Sequence, residues 1–255
     1  MKTKRRIYMG DAQLAAGIEI QLCAEHAHYL TSVLRLAVGA EVYLFNAQSG
    51  EFRGEIAIAK KQTVVVKIGE QVRAAHPPTQ MILTLAFAPL KKDRTDFLVE
   101  KASELGVHIL QPIFTDHTQS ERVNIERLQI TAIEAAEQCD RLDAPRVKEA
   151  QKLSAYLSAL PQDAIIFLAA ESRAAAPIGE AFSELLRDSG SSPCTVRELH
   201  FIIGPEGGFS DREFEAFARM PPIRPVRLGP RLLRAETAAA AVLSAFQAVA
   251  GDWQN

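Results

Sequence analysis

Cysteine is scarce in this 255-residue chain: Cys23, Cys139 and Cys194 lie far apart. That spacing excludes a disulfide framework, offers no metal-ligand pattern and suits a reducing cytoplasm. Neither a His-Glu-x-x-His nor a Cys-x-x-Cys pattern occurs, so no metal is expected. Gly-x-x-x-x-Gly-Lys-Ser/Thr and Gly-x-Gly-x-x-Gly are also missing, which argues against a triphosphate or dinucleotide site. Long apolar runs are lacking. The best candidate, residues 238–250, is alanine-rich, contains Ser244 and Gln247, and is too short and polar to cross a bilayer. The basic start, Met1-Lys2-Thr3-Lys4-Arg5-Arg6, has no apolar stretch or cleavage site behind it, so no secretory leader and no membrane partner are expected.

Hydrophobic residues make up 47% of the chain, enough for a substantial core in one large or two modest domains. The net charge of −2 is uneven. Residues 1–73 hold ten Lys/Arg against seven Asp/Glu, an excess of +3, and the remainder carries −5. An excess of three is compatible with nucleic-acid contact and equally with an ordinary solvated surface.

Residues 1–73 read mainly as β structure. Strands are predicted over residues 18–22, 41–45, 52–59 and 63–68, with a helix over 25–36 that carries Leu30, Val33 and Leu34 on one face. The pattern implies a small β-barrel-like module. His76-Pro77-Pro78 breaks any element, so a second domain is expected over 79–255. From Met81 onward strand and helix alternate. Strands are predicted over 81–87, 107–114, 165–169, 201–203 and 226–228. Helices are predicted over 93–105 with Gly106 at its end, from a cap at Asn124 to about Cys139, after Ser210-Asp211-Arg212-Glu213, and over 238–250. Such alternation defines an α/β fold with a mostly parallel sheet. Residues 188–193 read as a flexible surface loop.

Two stretches carry most of the functional signal: Gly204-Pro205-Glu206-Gly207-Gly208-Phe209-Ser210 and Leu228-Gly229-Pro230-Arg231-Leu232-Leu233-Arg234-Ala235-Glu236-Thr237. Each lies between a strand-like and a helix-like run, where glycine lets bare backbone approach a ligand. Two such loops at the ends of adjacent strands read as two walls of one small-molecule site. With phosphate and metal motifs missing, the walls suit an uncharged or cationic ligand held by main-chain groups, such as an adenosyl sulfonium.

These motifs resemble the RsmE family of small-subunit ribosomal RNA uridine N3-methyltransferases, members of the SPOUT superfamily. The resemblance extends through Arg6-Ile7-Tyr8, His28 with Val33-Leu34-Arg35, Lys101 to Val107, and Glu137-Gln138 with Arg141 and Pro145. It departs at Asp116-His117-Thr118-Gln119, where the family usually has an arginine-serine pair. The resemblance implies a trefoil-knotted C-terminal SPOUT domain behind a PUA-like barrel, a homodimer, S-adenosylmethionine as cofactor, and ribosomal RNA or the small ribosomal subunit as partner. It places the cofactor against Leu168 and Ala169, against Ile203, Gly204, Pro205, Glu206, Gly207 and Gly208, and against Leu228, Gly229, Leu232, Leu233, Arg234 and Thr237. RNA contacts are expected from Arg6, Arg35, Lys91, Lys92, Arg94 and Arg141.

N3 of uracil carries a proton at neutral pH, so its methylation needs proton removal or stabilisation of the developing anion. Arg234 and Arg231 are candidates for the anion, and Glu206 and Glu236 for accepting the proton or orienting an arginine. Each has a plainer role: turn glycines, an acidic residue favouring a helix start, a surface Arg–Glu pair, a capping Thr237. Cys139 would serve a C5-methyltransferase as nucleophile but reads as structural. Two other readings remain, a knotted 2′-O-methyltransferase acting on transfer RNA and a noncatalytic RNA-binding assembly protein.

Overall fold

The structure, a computed structural model, describes residues 4–75, 81–120, 122–161, 163–170, 175–189, 197–220 and 223–254. His76-Pro77-Pro78, Cys194 and residues 190–193 of the expected loop lie outside the described residues, as does the side chain of Lys92. The chain forms two compact units, Met1–Pro78 with Ala136–Ala144, and Thr79–Ala135 with Pro145–Asn255.

The first unit contains β1 (Arg6–Tyr8), β2 (Glu19–Gln21), α1 (Ala24–His28), β3 (Glu41–Asn46), β4 (Gly50–Lys60) and β5 (Thr63–Arg73). They form a five-stranded sheet in the order β1-β3-β4-β5-β2. The predicted strands are all present, and β1 is an addition. It pairs parallel to β3, whereas the other pairings are antiparallel. Alternation sends Val42 and Leu44, Ile56, and Val64, Val66 and Ile68 into one core, on which Leu30 packs.

The helix predicted over residues 25–36 is shorter and less regular. After α1 the chain widens into a π-type turn over Tyr29–Val33, with Leu34 N–H bonded to the Tyr29 carbonyl at 3.0 Å. Arg35 then adopts φ +53°, and Leu36 N–H reaches back to the Leu30 carbonyl at 2.9 Å. This bond is one residue wider than that of a Schellman ending, and the left-handed residue is arginine where glycine is usual. Apolar spacing alone did not reveal it.

The second unit is an α/β layer structure. Its strands are β6 (Met81–Phe87), β7 (Ile109–Phe114), β8 (Arg146–Val147), β9 (Gln151–Lys152), β10 (Ile165–Ala169), β11 (Ala176–Pro177), β12 (Arg197–Ile203) and β13 (Ile223–Arg227). Its helices are α2 (Lys92–Glu104), α3 (Ile125–Gln138), α4 (Leu153–Ala159), α5 (Ile178–Ser189), α6 (Asp211–Ala218) and α7 (Ala235–Ala250). The sheet order is β11-β13-β10-β12-β6-β7-β8, with β9 beside β7, and every pairing is parallel. Local signals hold here. Asn124 Oδ1 accepts from Arg127 N–H at 2.9 Å, Gly106 ends α2 with φ +83°, and Ser210 and Glu213 form a capping box.

Four phenylalanines bind helices to sheet. Phe167 of β10 and Phe201 of β12 stack at 5.9 Å, and Phe182 of α5 and Phe246 of α7 meet them edge-on. Opposite them, Tyr156 of α4 bonds His200 Nδ1 at 2.6 Å inside a second apolar cluster. Burial raises the Tyr156 phenol, so it stays protonated and donates. Burial also lowers His200, against the opposing pull of Glu198, so the imidazole is neutral and accepts.

Tyr156→Phe is expected to cost about 1–3 kcal/mol, because the buried Nδ1 loses its partner. The pH dependence follows from the lowered His200. Below the ordinary histidine value of about 6.5 the unfolded chain takes up a proton that the folded chain refuses. This contribution to stability is therefore complete above that pH and declines as the pH falls below it. Denaturation of the wild type and His200→Gln at neutral and mildly acidic pH checks the sign: the variant should lose less stability on acidification.

Candidate active site

The two glycine loops leave the carboxyl ends of β12 and β13. The sequence reading placed these strands side by side, but β10 lies between them, pairing Leu168 with Ile202 on one side and Ala169 with Val226 on the other. Two strand spacings hold the loops about 10 Å apart, with the end of β10 as the floor. Ligands in open α/β sheets bind at such carboxyl ends. Leu168 is buried and Ala169 half-buried on this floor, and Ala170 N–H bonds the Val226 carbonyl at 2.9 Å.

The first loop is fastened from below. A Cβ on Gly204 would meet the Phe209 ring at 2.7 Å, so only glycine allows that ring to seat. Phe209 in turn packs edge-on against Phe214 and Phe217 of α6. Ile203 and Pro205 are buried, while Glu206, Gly207 and Gly208 are exposed. In the second loop Gly229 has φ +98° with open space where a Cβ would stand. Leu228 and Leu233 are half-buried, Arg231, Arg234 and Thr237 are exposed, and Leu232 is 76% exposed. Arg234 is the N-cap residue of α7 without a side-chain cap bond, and its carbonyl accepts from Ala238 N–H at 2.8 Å.

Arg94, at the start of α2, ties the two loops together. Its guanidinium is ion-paired with Glu206 of the first loop, and its Nε lies 3.7 Å from Glu236 Oε1 of the second. Spacing along the sequence gave no sign of this. Arg94, an RNA candidate of the sequence, stands between two carboxylates. Glu236 has a second feature of interest. Its side chain is 12% exposed, and its Oε2 is buried without a hydrogen-bond partner. A buried carboxylate oxygen without a partner fits a cationic ligand such as a sulfonium or ammonium group. Among the described residues no His/Cys/Asp/Glu cluster fit for a metal occurs.

Each loop also borders a hollow. One, of about 270 Å³, is lined by Pro89, Leu90, Lys91, His117, Gln119, Ser120, Pro205, Glu206 and Gly207. The other, of about 390 Å³, lies between Gly229 and Pro230 and the β11–α5 turn at Pro177, Ile178 and Gly179. The segment that departs from the family pattern is thus built onto the first loop. His117 Nδ1 lies 3.0 Å from the Gly207 carbonyl and 3.2 Å from that of Gly208. Asp116 accepts from Ser210 Oγ at 2.6 Å and from Arg212 at 2.8 Å, which hold its carboxyl below the usual carboxylate range.

The remaining RNA candidates sit in the first unit. Arg6, expected to touch RNA, is instead 5% exposed. It donates to Glu51 Oε1 at 2.9 Å and to the carbonyls of Ala136, Glu137 and Arg141, and it lies over the Phe45 ring at 3.9 Å. Its guanidinium is enclosed by the protein's own acceptors and has no face for a ligand. Arg141 forms a two-pronged pair with Asp143, at 3.0 and 2.7 Å. Arg35 is exposed at the left-handed turn. Cys139 falls in the Ala136–Ala144 segment of the first unit, with Sγ 3.9 Å from the Ala136 carbonyl.

The class of protein that this arrangement defines is the RNA methyltransferases. A model of the RNA methyltransferase domain matches residues 77–247, and one of the RNA methyltransferase PUA domain matches residues 22–69. The ribosomal RNA small subunit methyltransferase E of Rickettsia conorii is 35% identical over 235 residues, covering 92% of this chain and 91% of that protein. The chain belongs to the ribosomal RNA small subunit methyltransferase E family. Among solved structures, a putative methyltransferase from Legionella pneumophila in complex with the cofactor S-adenosylmethionine is 29% identical, with a TM-score of 0.81 over 96% of this chain and 97% of that one. The ribosomal RNA small subunit methyltransferase E from Neisseria gonorrhoeae bound to S-adenosylmethionine is 25% identical, with a TM-score of 0.80 over 98% and 99%.

Proposed function

We propose that this chain is an S-adenosylmethionine-dependent methyltransferase that methylates N3 of a uridine in small-subunit ribosomal RNA. The observation that carries the reading is the pair of glycine loops, bridged by Arg94 through Glu206 and Glu236, with one Glu236 oxygen buried and unpartnered, in a chain of this family. Residues 1–73, as a PUA-like barrel, help position the RNA, and residues 79–255, as a trefoil-knotted SPOUT domain, hold the methyl donor. A homodimer working in the cytoplasm is part of the proposal. No helix among the described residues is long and apolar enough to cross a membrane.

The residues that would hold the donor are Leu168 and Ala169 on the floor, Gly204 to Gly208 on one wall, and Leu228, Gly229, Leu232, Leu233 and Thr237 on the other. The donor supplies an electrophilic methyl group on a positively charged sulfur. The protein's own part is alignment and charge. Rigid walls fix the line of approach. Arg234 and Arg231, both exposed at the second loop, stabilise the anion that grows on the uracil ring. Glu206 and Glu236 are the carboxylates available for the N3 proton or for orienting Arg94.

The deciding experiment incubates the protein with labelled S-adenosylmethionine and unmodified small ribosomal subunits, followed by nucleoside analysis. N3-methyluridine is the expected product. A 2′-O-methylnucleoside would assign the chain to ribose methylation, and no label together with no donor binding by calorimetry would leave a noncatalytic RNA-binding role. Arg234→Ala should lower turnover at least about tenfold with the fold intact, through lost anion stabilisation. Near-normal turnover in a folded variant removes Arg234 from the chemistry.

A further inference from the structure

The 270 Å³ cleft shares Pro205, Glu206 and Gly207 with the proposed donor wall, but its remaining lining, Pro89, Leu90, Lys91, His117, Gln119 and Ser120, is not assigned to the donor. Its volume falls below the range of about 300–1,000 Å³ typical of drug-sized ligands, and it suits a single extruded base. Pro89 and Pro205 supply flat apolar surface, Lys91 a cation, and Gln119 an amide that both donates and accepts. A uracil carbonyl can accept from the N–H of such an amide, which leaves N3 free, and a nucleotide carries a phosphate for Lys91.

Among the described residues, Glu206 at the cleft is ion-paired with Arg94, and nearby Asp116 with Arg212. Lys91 is a cleft-lining cation that can meet a phosphate. Of the two candidate proton acceptors, Glu206 lines this cleft and Glu236 is not part of its lining.

We propose that this cleft receives the acceptor uridine nucleotide, with Gln119 and Lys91 binding it, Glu206 taking its N3 proton, and His117 acting as the positioning residue that ties it to the donor loop. The inference rests on the methyltransferase reading above. The N3–H bond passes its proton to a Glu206 carboxylate oxygen, and the electron pair left on N3 forms the N3–CH3 bond. The S–CH3 bond breaks with its electrons returning to sulfur.

His117 does its part through Nδ1–H, which the two glycine carbonyls require as a donor. The role calls for an N–H donor rather than a base, which an arginine could also supply. Donation to both carbonyls fixes the path of the loop that also carries Glu206.

The test measures methyl transfer to small ribosomal subunits by the full-length wild type and by Gln119→Ala, Lys91→Ala, Glu206→Gln, His117→Ala and His117→Arg. Donor affinity and thermal denaturation are followed in parallel. Gln119→Ala should raise KM for the subunit about tenfold, the loss of one good base-edge contact, and leave donor affinity within about twofold. Lys91→Ala should flatten the log–log salt dependence of KM by about 0.7, the contribution of one single-strand phosphate contact. Glu206→Gln should lower kcat at least about thirtyfold with KM little changed. His117→Ala should lower kcat about tenfold, and His117→Arg should restore it to within about threefold.

If Gln119→Ala and Lys91→Ala keep the wild-type KM and salt slope, the cleft is not the acceptor site. A folded, donor-binding His117→Arg without activity overturns the donor role of His117. A wild type that transfers no methyl group at all fails the parent reading first, so the two failures are told apart.

Discussion

Arg94→Ala should lower turnover at least about a hundredfold, the scale seen when a fixed charge is removed from a preorganised site. Arg94 is the only described residue that forms ion pairs with both loops, through Glu206 and Glu236. Its loss leaves two carboxylates facing one another across the gap, one with an oxygen already lacking a partner. Like charges then push apart the walls that fix the donor. The stability loss should stay near 1–2 kcal/mol, because Glu206 and Arg94 are both partly exposed and solvent screens their pair. Arg94→Lys should recover only part of the rate, since a lysine is a point charge and cannot engage both carboxylates as a planar fork does. Steady-state kinetics with calorimetric donor binding checks this. A variant that binds donor and turns over normally shows that the bridge has no part in the reaction.

Phe201→Ala should destabilise the second unit by about 3–5 kcal/mol. Phe201 is fully buried on the central strand β12 and touches Phe167, Phe182 and Phe246. Truncation opens a void that three rings on three different elements cannot close together. The effect reaches the site through connectivity: β12 runs directly into the Gly204 loop, and Phe246 anchors the helix that follows the second loop. Chemical denaturation of the full chain gives the midpoint shift. A loss below about 1 kcal/mol, typical of an exposed surface change, would contradict this view of the core.

Much of the second unit was legible because its elements are strongly patterned. β6 and β10 appear at the predicted residues, and Asn124, Gly106 and the Ser210 box mark helix ends through chemistry confined to a few neighbouring positions. The two-residue strands β8, β9 and β11 are too short to show a period, and they exist only because a neighbouring strand accepts them. α5 went unread although Ala181, Phe182 and Leu185 share a buried face.

At the site, glycines and prolines announced the two loops because backbone geometry is a local property. The Arg94 bridge joins residues 112 positions apart in sequence for Glu206. Arg6 reaches residues 130 and more positions away. No window along the chain contains both partners, so a basic residue near the amino terminus looked like an RNA contact. His117 was visible only as a departure from a pattern, and its contact with the Gly207 and Gly208 carbonyls, 90 and 91 positions away, lies outside any local window.

The enclosure of Arg6 bears on how this chain can be dissected. Its carbonyl acceptors come from Ala136–Arg141, a stretch inserted from far along the polypeptide, so the amino-terminal module is discontinuous. A gene truncated after codon 78 would encode a fragment with a buried guanidinium facing empty space where three main-chain oxygens belong. Expression trials on isolated halves should therefore return insoluble or protease-sensitive material, and a folded amino-terminal fragment would need residues 136–144 grafted back by a linker.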